Sequence, residues 1–465
     1  MERTPIDTEP HTSRERLTPA QSLTIGVTLF SMFFGAGNLI LPPLLGLQAG
    51  TDAVPAMVGF LLSGIGLPVL GVVVVALAGN LHALAGRVHP RFASVFAALV
   101  YLAIGPLLAI PRTSSTAFEM LAPLLPADWP VAAARCAFSV AFFAVAFAMA
   151  LRPGRLSRLL GAVTGPALIA LIVVVTASSV LAPTGEVTAP VAPYAGAAAS
   201  QGFITGYQTM DLLASLTFGL VIAQNIHTMG VREPGAVARE ISRAGIVAGA
   251  LMALIYCGFS FVGATMGSAL PGVGNGAAIL TASATAHFGL AGTVIIAAIF
   301  LLACLNVCVG LVSCCGEYFA ETYGASAPDP TAHRLGRVPY RAWALAFALF
   351  SCAVSNVGLD MILQLSVPLL SALYPPAIVL VGMGLAARHF DARPASWPLA
   401  VAAALVVSVP VALRDAAAPG LWLPFDLLPL AGFGMAWVVP MLIALAVGVL
   451  VGRRGRYRSA ISPRR

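Results

Sequence analysis

Phe33-Phe34-Gly35-Ala36-Gly37-Asn38-Leu39-Ile40-Leu41-Pro42-Pro43 decides how this chain must be read. It lies inside an apolar run over residues 21–47, long enough to cross a bilayer, which takes about 20 residues in a helix. Its middle is poorly chosen for a helix: two glycines flank Ala36, an asparagine follows, and two prolines come soon after. Gly costs about 1 kcal/mol and an interior Pro about 3 kcal/mol in helix propensity. In hydrocarbon a break also frees backbone N–H and C=O groups that have no water to turn to. Such a break is tolerated where the freed groups line a cavity, with half-helix N-termini meeting an anion and unwound carbonyls meeting a cation. The plainer alternative is a Gly/Pro kink that only eases helix packing.

The rest of the chain places this run in a polytopic membrane protein. Of 465 residues, 59% are hydrophobic and only 9% charged, a composition foreign to soluble globular proteins. Gly 45 and Pro 34 suit packed membrane helices. The net charge of +7 comes from arginines scattered among short connections, so it is not the footprint of a nucleic-acid binder. The seven cysteines sit in apolar runs with no zinc or redox spacing and read as small core residues. Hydropathy predicts about twelve spans, near 21–47, 53–79, 92–121, 132–151, 159–182, 204–230, 240–267, 287–319, 340–356, 358–387, 396–413 and 427–451. All the basic residues are arginine, and 22 of the 25 fall in the two tails and the even-numbered connections. Only Arg112, Arg135 and Arg414 do not. The positive-inside rule then puts both termini in the cytoplasm.

The sixth span carries the second unusual stretch, Gly206-Tyr207-Gln208-Thr209-Met210-Asp211-Leu212-Leu213-Ala214-Ser215-Leu216-Thr217-Phe218-Gly219. A carboxylate, hydroxyls and glycine inside a membrane helix suggest a second interruption, beside Asp211. Spans one and six are five apart, and a repeat with an odd number of crossings must be inverted. Two interrupted helices at matching places in inverted halves point to a central transport site. The expected fold is therefore all-α, with about 12 transmembrane helices in a 5+5 inverted repeat and discontinuous helices 1 and 6. Its parts are a cytoplasmic tail (1–20), a first repeat (21–182), a second (204–387), two peripheral helices (396–451) and a C-terminal tail (452–465).

Other polar groups in the spans leave alternatives open. Asn306, Gly310 and Ser313 share one helix face at i, i+4 and i+7, as oxygen ligands for a small cation or as a small-residue helix contact. Arg112 and Glu119 are seven apart and share a face. They read as a structural ion pair, as an outer gate, or as an arginine that meets a substrate carboxylate. Asp211 would coordinate a cation, carry a proton or cap freed N–H groups. No His-Glu-x-x-His and no Gly-x-Ser-x-Gly occurs, so the chain is not read as an enzyme.

At this level of detail the chain resembles the bacterial branched-chain amino acid:cation symporters. The resemblance runs through Phe33-Phe34-Gly35-Ala36-Gly37-Asn38 to Gly50, Gly105-Pro106 with Pro111-Arg112-Thr113, Thr209-Met210-Asp211, Asn275-Gly276-Ala277-Ala278-Ile279-Leu280, and Val354-Ser355-Asn356-Val357-Gly358-Leu359 to Tyr374-Pro375-Pro376. It implies a LeuT-like fold in the bacterial cell membrane and sodium-coupled uptake of Leu, Ile and Val. The runner-up is a proton-coupled carrier of these or other small apolar amino acids. The resemblance also implies a substrate site of Phe34, Gly35, Ala36, Gly37, Asn38, Asp211, Ser215, Leu216, Phe218 and Gly219. A sodium site would use carbonyls of Ser31 and Phe34 with Ala303, Asn306 and Val307. Na⁺ is the expected co-transported ion, and no covalent cofactor is expected. At Val307 and Val312 the family usually has Thr, so the side-chain oxygen expected beside Asn306 is missing, whereas Ser313 keeps its hydroxyl.

Overall fold

The computed structural model describes residues 16–126, 128–151, 166, 169–170, 172–323 and 338–451. Arg3, Arg14, Arg152, Arg155, Arg158, Arg334, Arg337 and the six arginines after 451 lie outside the described residues, as does most of both tails. No β-strand occurs among the described residues.

The chain starts with α1 (Pro19–Phe33), closed at its N-terminus by a Thr18–Gln21 capping box. α2 (Ala36–Ala49) follows after two non-helical residues, Phe34 and Gly35. Next come α3 (Ala53–Leu61), a wide turn over Leu62–Gly66 and α4 (Leu67–Ala78). After the short α5 (Leu81–Gly86), α6 (Pro90–Leu102) and α7 (Ala109–Leu121) are separated by a second wide turn, in which Gly105 leaves helical geometry. α8 (Val131–Ala150), α9 (Ile172–Leu181), α10 (Ala198–Tyr207), α11 (Asp211–Thr228) and α12 (Pro234–Ala264) continue the chain. α13 (Gly276–Tyr323) is bent at Gly289, whose φ of 58° admits few residues but glycine. α14 (Tyr340–Ser355), α15 (Leu359–Leu385), α16 (Ala387–Phe390), α17 (Ser396–Ala417) and α18 (Val438–Val451) complete it.

Among the described residues, seven helical runs are long and apolar enough to cross a membrane, and an eighth is if α10 and α11, bent by 46°, count as one span. α9, α14 and α18 are shorter apolar helices.

Close backbone approach holds the centre together. A Cβ on Gly46 of α2 would strike the carbonyl of Ser260 on α12, and one on Gly263 of α12 would strike that of Pro43 on α2. α3 and α10 touch in the same reciprocal way, Gly59 against Ala199 and Gly202 against Ala56. Lipid tails are as apolar as leucine, so membrane helices gain by such packing rather than by hydrophobic burial. α1 packs on α12, α4 on α11, and α7 on α13. Near the start of α1, Ser22 Oγ donates to Glu240 Oε2 of α12 at 2.9 Å, and Glu240 also meets Arg243 at 2.7 Å. α18 buries only Gly448 and packs on α17, whereas α17 packs on α15 and brings Trp397, Ala400, Val401, Ala404 and Val407 into the core.

The prolines behave differently from expectation. Pro42 and Pro43 lie inside α2, which continues past them to Ala49. The break falls earlier, at Phe34 (ψ 92°) and Gly35 (φ −126°, ψ −165°). The second break lies beside Asp211. Met210 is left-handed at φ 65°, and the stretch from Asp211 to Gly219 is helical.

Candidate substrate and ion site

Both breaks open onto one cavity. From the first break it is lined by Met32, Phe33, Gly35, Ala36, Gly37 and Asn38, and from the second by Thr209, Met210, Asp211, Ala214 and Phe218. Ile104, Ala109, Arg112 and Thr113 enter from the third long run, and Val307 and Leu311 from α13. Phe33 and Phe218 face each other with ring centroids 6.0 Å apart. The walls are thus apolar rings and aliphatic chains interrupted by the ends of half-helices.

Asn38 ties the two breaks together. Its Oδ1 accepts from the N–H of Gly35 at 3.2 Å, closing the N-terminus of α2. Its Nδ2 donates to Asp211 Oδ2 at 2.7 Å and to the hydroxyl of Tyr256 on α12. All three side chains are buried. Asp211 opens α11, where a carboxylate interacts favourably with the helix dipole, and its own N–H donates to Thr209 Oγ1 at 3.3 Å. The N–H groups of Ala36 and Gly37 begin α2 and have no carbonyl one turn back.

Arg112 closes the opposite kind of end. Its Nη1 donates to the carbonyl of Gln208 at 2.7 Å and its Nη2 to that of Thr209 at 3.5 Å. These are carbonyls that α10 leaves free where it stops, and a cation suits the negative end of a helix. The guanidinium also lies against the first turn of α2: a Cβ on Gly37 would sit 2.5 Å from Nη2. Arg112 is 3% exposed, and its Nε is buried without a partner.

The expected Arg112–Glu119 ion pair is therefore corrected. Glu119 lies instead beside Arg135 of α8, at 3.9 Å and partly exposed. Arg112 is drawn to backbone oxygens that exist only because α10 ends there.

The sequence-derived residues divide by helix face. Gly35, Ala36, Gly37, Asn38, Asp211 and Phe218 line the cavity. Phe34 does not: its ring stacks on Phe30 at 5.0 Å, and its neighbour Phe33 lines the wall. Ser215 and Gly219 turn to α4, Ser215 Oγ against Gly71 and Gly219 against Val75. Leu216 is buried away from the cavity. Residues 211, 214 and 218 form one face of α11, and 215 and 219 form its neighbour.

Around the expected ion ligands, Asn306 Nδ2 donates to the carbonyl of Ser31 at 3.3 Å. Val307 lines the cavity and lies 3.3 Å from a Cβ built on Gly35. Ala303 is buried on the same helix. The Oγ of Ser31 is buried without a partner. Gly310, one turn beyond Asn306, has open space where its Cβ would be, so the Asn306-Gly310-Ser313 face is not a tight helix contact at that point. Among the described residues no group of three or more His, Cys, Asp or Glu stands ready for a metal. Tyr256 and Leu311 carry no sign in the sequence, since each is an ordinary residue in an apolar run until the fold brings it to the breaks.

A family model described as branched-chain amino acid transport protein matches residues 18–454. The chain is 37% identical over 444 residues to the branched-chain amino acid transport system 2 carrier protein of Pseudomonas aeruginosa, covering 95% of this chain and 98% of that one. It is 34% identical over 442 residues to the branched-chain amino acid permease BraB of Bacillus subtilis, covering 94% and 97%. Among solved structures it resembles Mhp1, a nucleobase-cation-symport-1 family transporter with bromovinylhydantoin bound, at TM-score 0.59 and 13% identity, over 95% of this chain and 94% of that one. A Na⁺-coupled sialic acid symporter matches at TM-score 0.59 and 15% identity, over 94% and 91%. At these identities the two structures speak to the fold alone.

Proposed function

The chain belongs to the family of branched-chain amino acid transport proteins, and from that premise we propose that it takes up Leu, Ile and Val by alternating access, driven by inward movement of Na⁺. The observation that carries the proposal is the convergence of two helix breaks on one buried, largely apolar cavity. In this reading the chain forms twelve spans as two inverted five-helix repeats plus two peripheral helices, with both termini cytoplasmic in the bacterial cell membrane. The breaks in the first and sixth spans are the matched pair such a repeat requires.

The free N–H groups of Ala36 and Gly37 suit a carboxylate. Phe33, Phe218, Ile104 and Leu311 receive the aliphatic side chain, at about 0.8 kcal/mol per buried CH₂. A pocket of this kind separates one methylene from the next by only about 1–3 kcal/mol, so the three branched substrates compete. Na⁺ is assigned to the carbonyls of Ser31 and Phe34 with Ala303, Asn306 and the backbone of Val307. The approach of Asn306 to Ser31 supports that placement. A cation there favours substrate binding and is favoured by it in return.

The test is labelled leucine uptake into proteoliposomes with imposed Na⁺ or pH gradients. Saturable uptake indifferent to both gradients would exclude coupling. A proton-driven carrier is the rival, and the buried Asp211, tied to Asn38 at 2.7 Å, favours it. Asp211→Asn abolishes proton coupling under that rival. Under sodium coupling it weakens substrate and ion affinity but leaves the Na⁺ gradient effective.

A further inference from the structure

Arg112 and Asp211 are both buried and both line the cavity, yet among the described residues neither has an opposite charge at ion-pair distance. Among the described residues the ion pairs are Arg87–Asp391, Arg135–Glu119, Arg243–Glu240 and those of Arg414 with Asp415 and Asp426. We propose that this separated pair reads the substrate as a zwitterion, with the Arg112 guanidinium taking the α-carboxylate and the Asp211 carboxylate taking the α-ammonium. The inference rests on the reading above that the cavity is the substrate site.

The donor count supports the arginine half. A guanidinium has five N–H groups in a fixed fork. One goes to Gln208, one leans on Thr209, and Nε has no partner although it is buried. A buried donor without a partner is costly, and a cation inside the membrane more so. A ligand carboxylate supplies charge and acceptors together, in the bidentate geometry that arginine matches. The same guanidinium touches the first turn of α2 at Gly37, so the free N–H groups of that turn and the arginine serve one anion.

The acid half follows from the other break. Asn38 occupies Oδ2 of Asp211, and a carboxylate has about four lone-pair sites, so acceptors remain for an ammonium. Ala214 and Phe218 continue the same face of α11 beyond the charge. An amino acid held by its head group therefore lays its side chain along apolar wall. The two charges select free α-amino acids as a class, and the walls choose among side chains.

The experiment is competition against labelled leucine on the purified full chain, using two leucine analogues that each lack one charge. These are 3-methylbutylamine, without the carboxylate, and 4-methylpentanoate, without the amine. For the unaltered protein both compete at least about 100-fold more weakly than leucine, because a site built for a polar group rejects the analogue that lacks it. In Arg112→Gln leucine weakens toward the amine, whose own affinity stays within about threefold. In Asp211→Asn leucine weakens toward the acid. Arg112→Lys, which keeps the charge without the fork, recovers part of the loss.

Either analogue binding the unaltered protein as tightly as leucine overturns the inference, without recourse to any variant. So does Arg112→Gln weakening leucine and 3-methylbutylamine equally, which is the signature of a merely structural arginine. An unaltered, folded protein that binds none of Leu, Ile and Val would instead sink the proposed function.

Discussion

Replacing Asn38 by alanine removes a side chain that hydrogen-bonds to both helix breaks. Three groups lose a partner: the Gly35 N–H, the Asp211 carboxylate and the Tyr256 hydroxyl. Asn38, Asp211 and Tyr256 are 1%, 3% and 0% exposed, so water has little access to them. A buried polar group stripped of its partner costs about 1–3 kcal/mol in soluble proteins, and more when it is charged. Membrane proteins recover part of this, because the unfolded chain in the bilayer also finds partners, and measured side-chain couplings there average about 0.6 kcal/mol. Three such losses bracket the expected destabilisation between about 2 and 9 kcal/mol. The assay is unfolding of purified protein in mixed micelles, read as free energy, alongside leucine uptake at matched expression. Asn38→Asp is the comparator. It keeps an acceptor for Gly35 but sets a second carboxylate against Asp211, so it should fare worse than alanine. A change below about 1 kcal/mol for alanine would refute the claim that the breaks are fastened to each other through this side chain.

The remaining expectations concern packing, an outer ion pair and a connecting loop. Gly46→Val drives a side chain into the backbone of Ser260 and should cost at least about 1–3 kcal/mol, whereas Gly310→Ala enters open space and should be neutral or stabilise by up to about 1 kcal/mol; thermal unfolding of the two side by side decides. Arg135→Ala breaks the 3.9 Å pair with Glu119, and a partly exposed pair of that kind is worth about 0–1 kcal/mol, so leucine uptake should change less than about twofold. Between α17 and α18, the Leu423 N–H and then Arg414 hold the Asp426 carboxyl below its usual range. Its stabilising contribution is therefore present above the unfolded value of about 4 and lost as pH falls through the lower folded one. The protection factor of the Leu423 amide, its exchange corrected for the intrinsic pH dependence, should hold down to about pH 4 and fall below it; an unchanged protection factor across that window would remove the link.

What was legible in the sequence, and what was not, follows from where each signal resides. Gly35-Ala36-Gly37-Asn38 could be seen as an interruption because its cost is intrinsic to those residues. The break falls at the start of that run, at Phe34 and Gly35, and the prolines beyond it do not act as breakers. Pro42 and Pro43 are carried inside α2, which runs on to Ala49, as membrane helices tolerate. The second break announced itself only through Asp211. The residue that makes the turn, Met210, is left-handed without being glycine, and a methionine carries no local sign of that. Which face of α11 meets the cavity depends on how α11 is rotated against α4, so Ser215 and Gly219 were indistinguishable from Ala214 and Phe218 until that packing was known.

Arg112 shows the deepest reason. Spacing along an ideal helix points it at Glu119, because side-chain rules pair a cation with the nearest carboxylate on its face. Its partners are instead the carbonyls of Gln208 and Thr209, which are free only because another helix stops there. The non-helical Gly105 just before it begins α7 afresh, and Glu119, two turns further on, falls to Arg135. A charge whose partner is the unfinished end of a distant helix has no partner written in side-chain letters. Its assignment had to wait for the break that creates the partner, and that same break opens the cavity into which the remaining N–H groups of the arginine can reach.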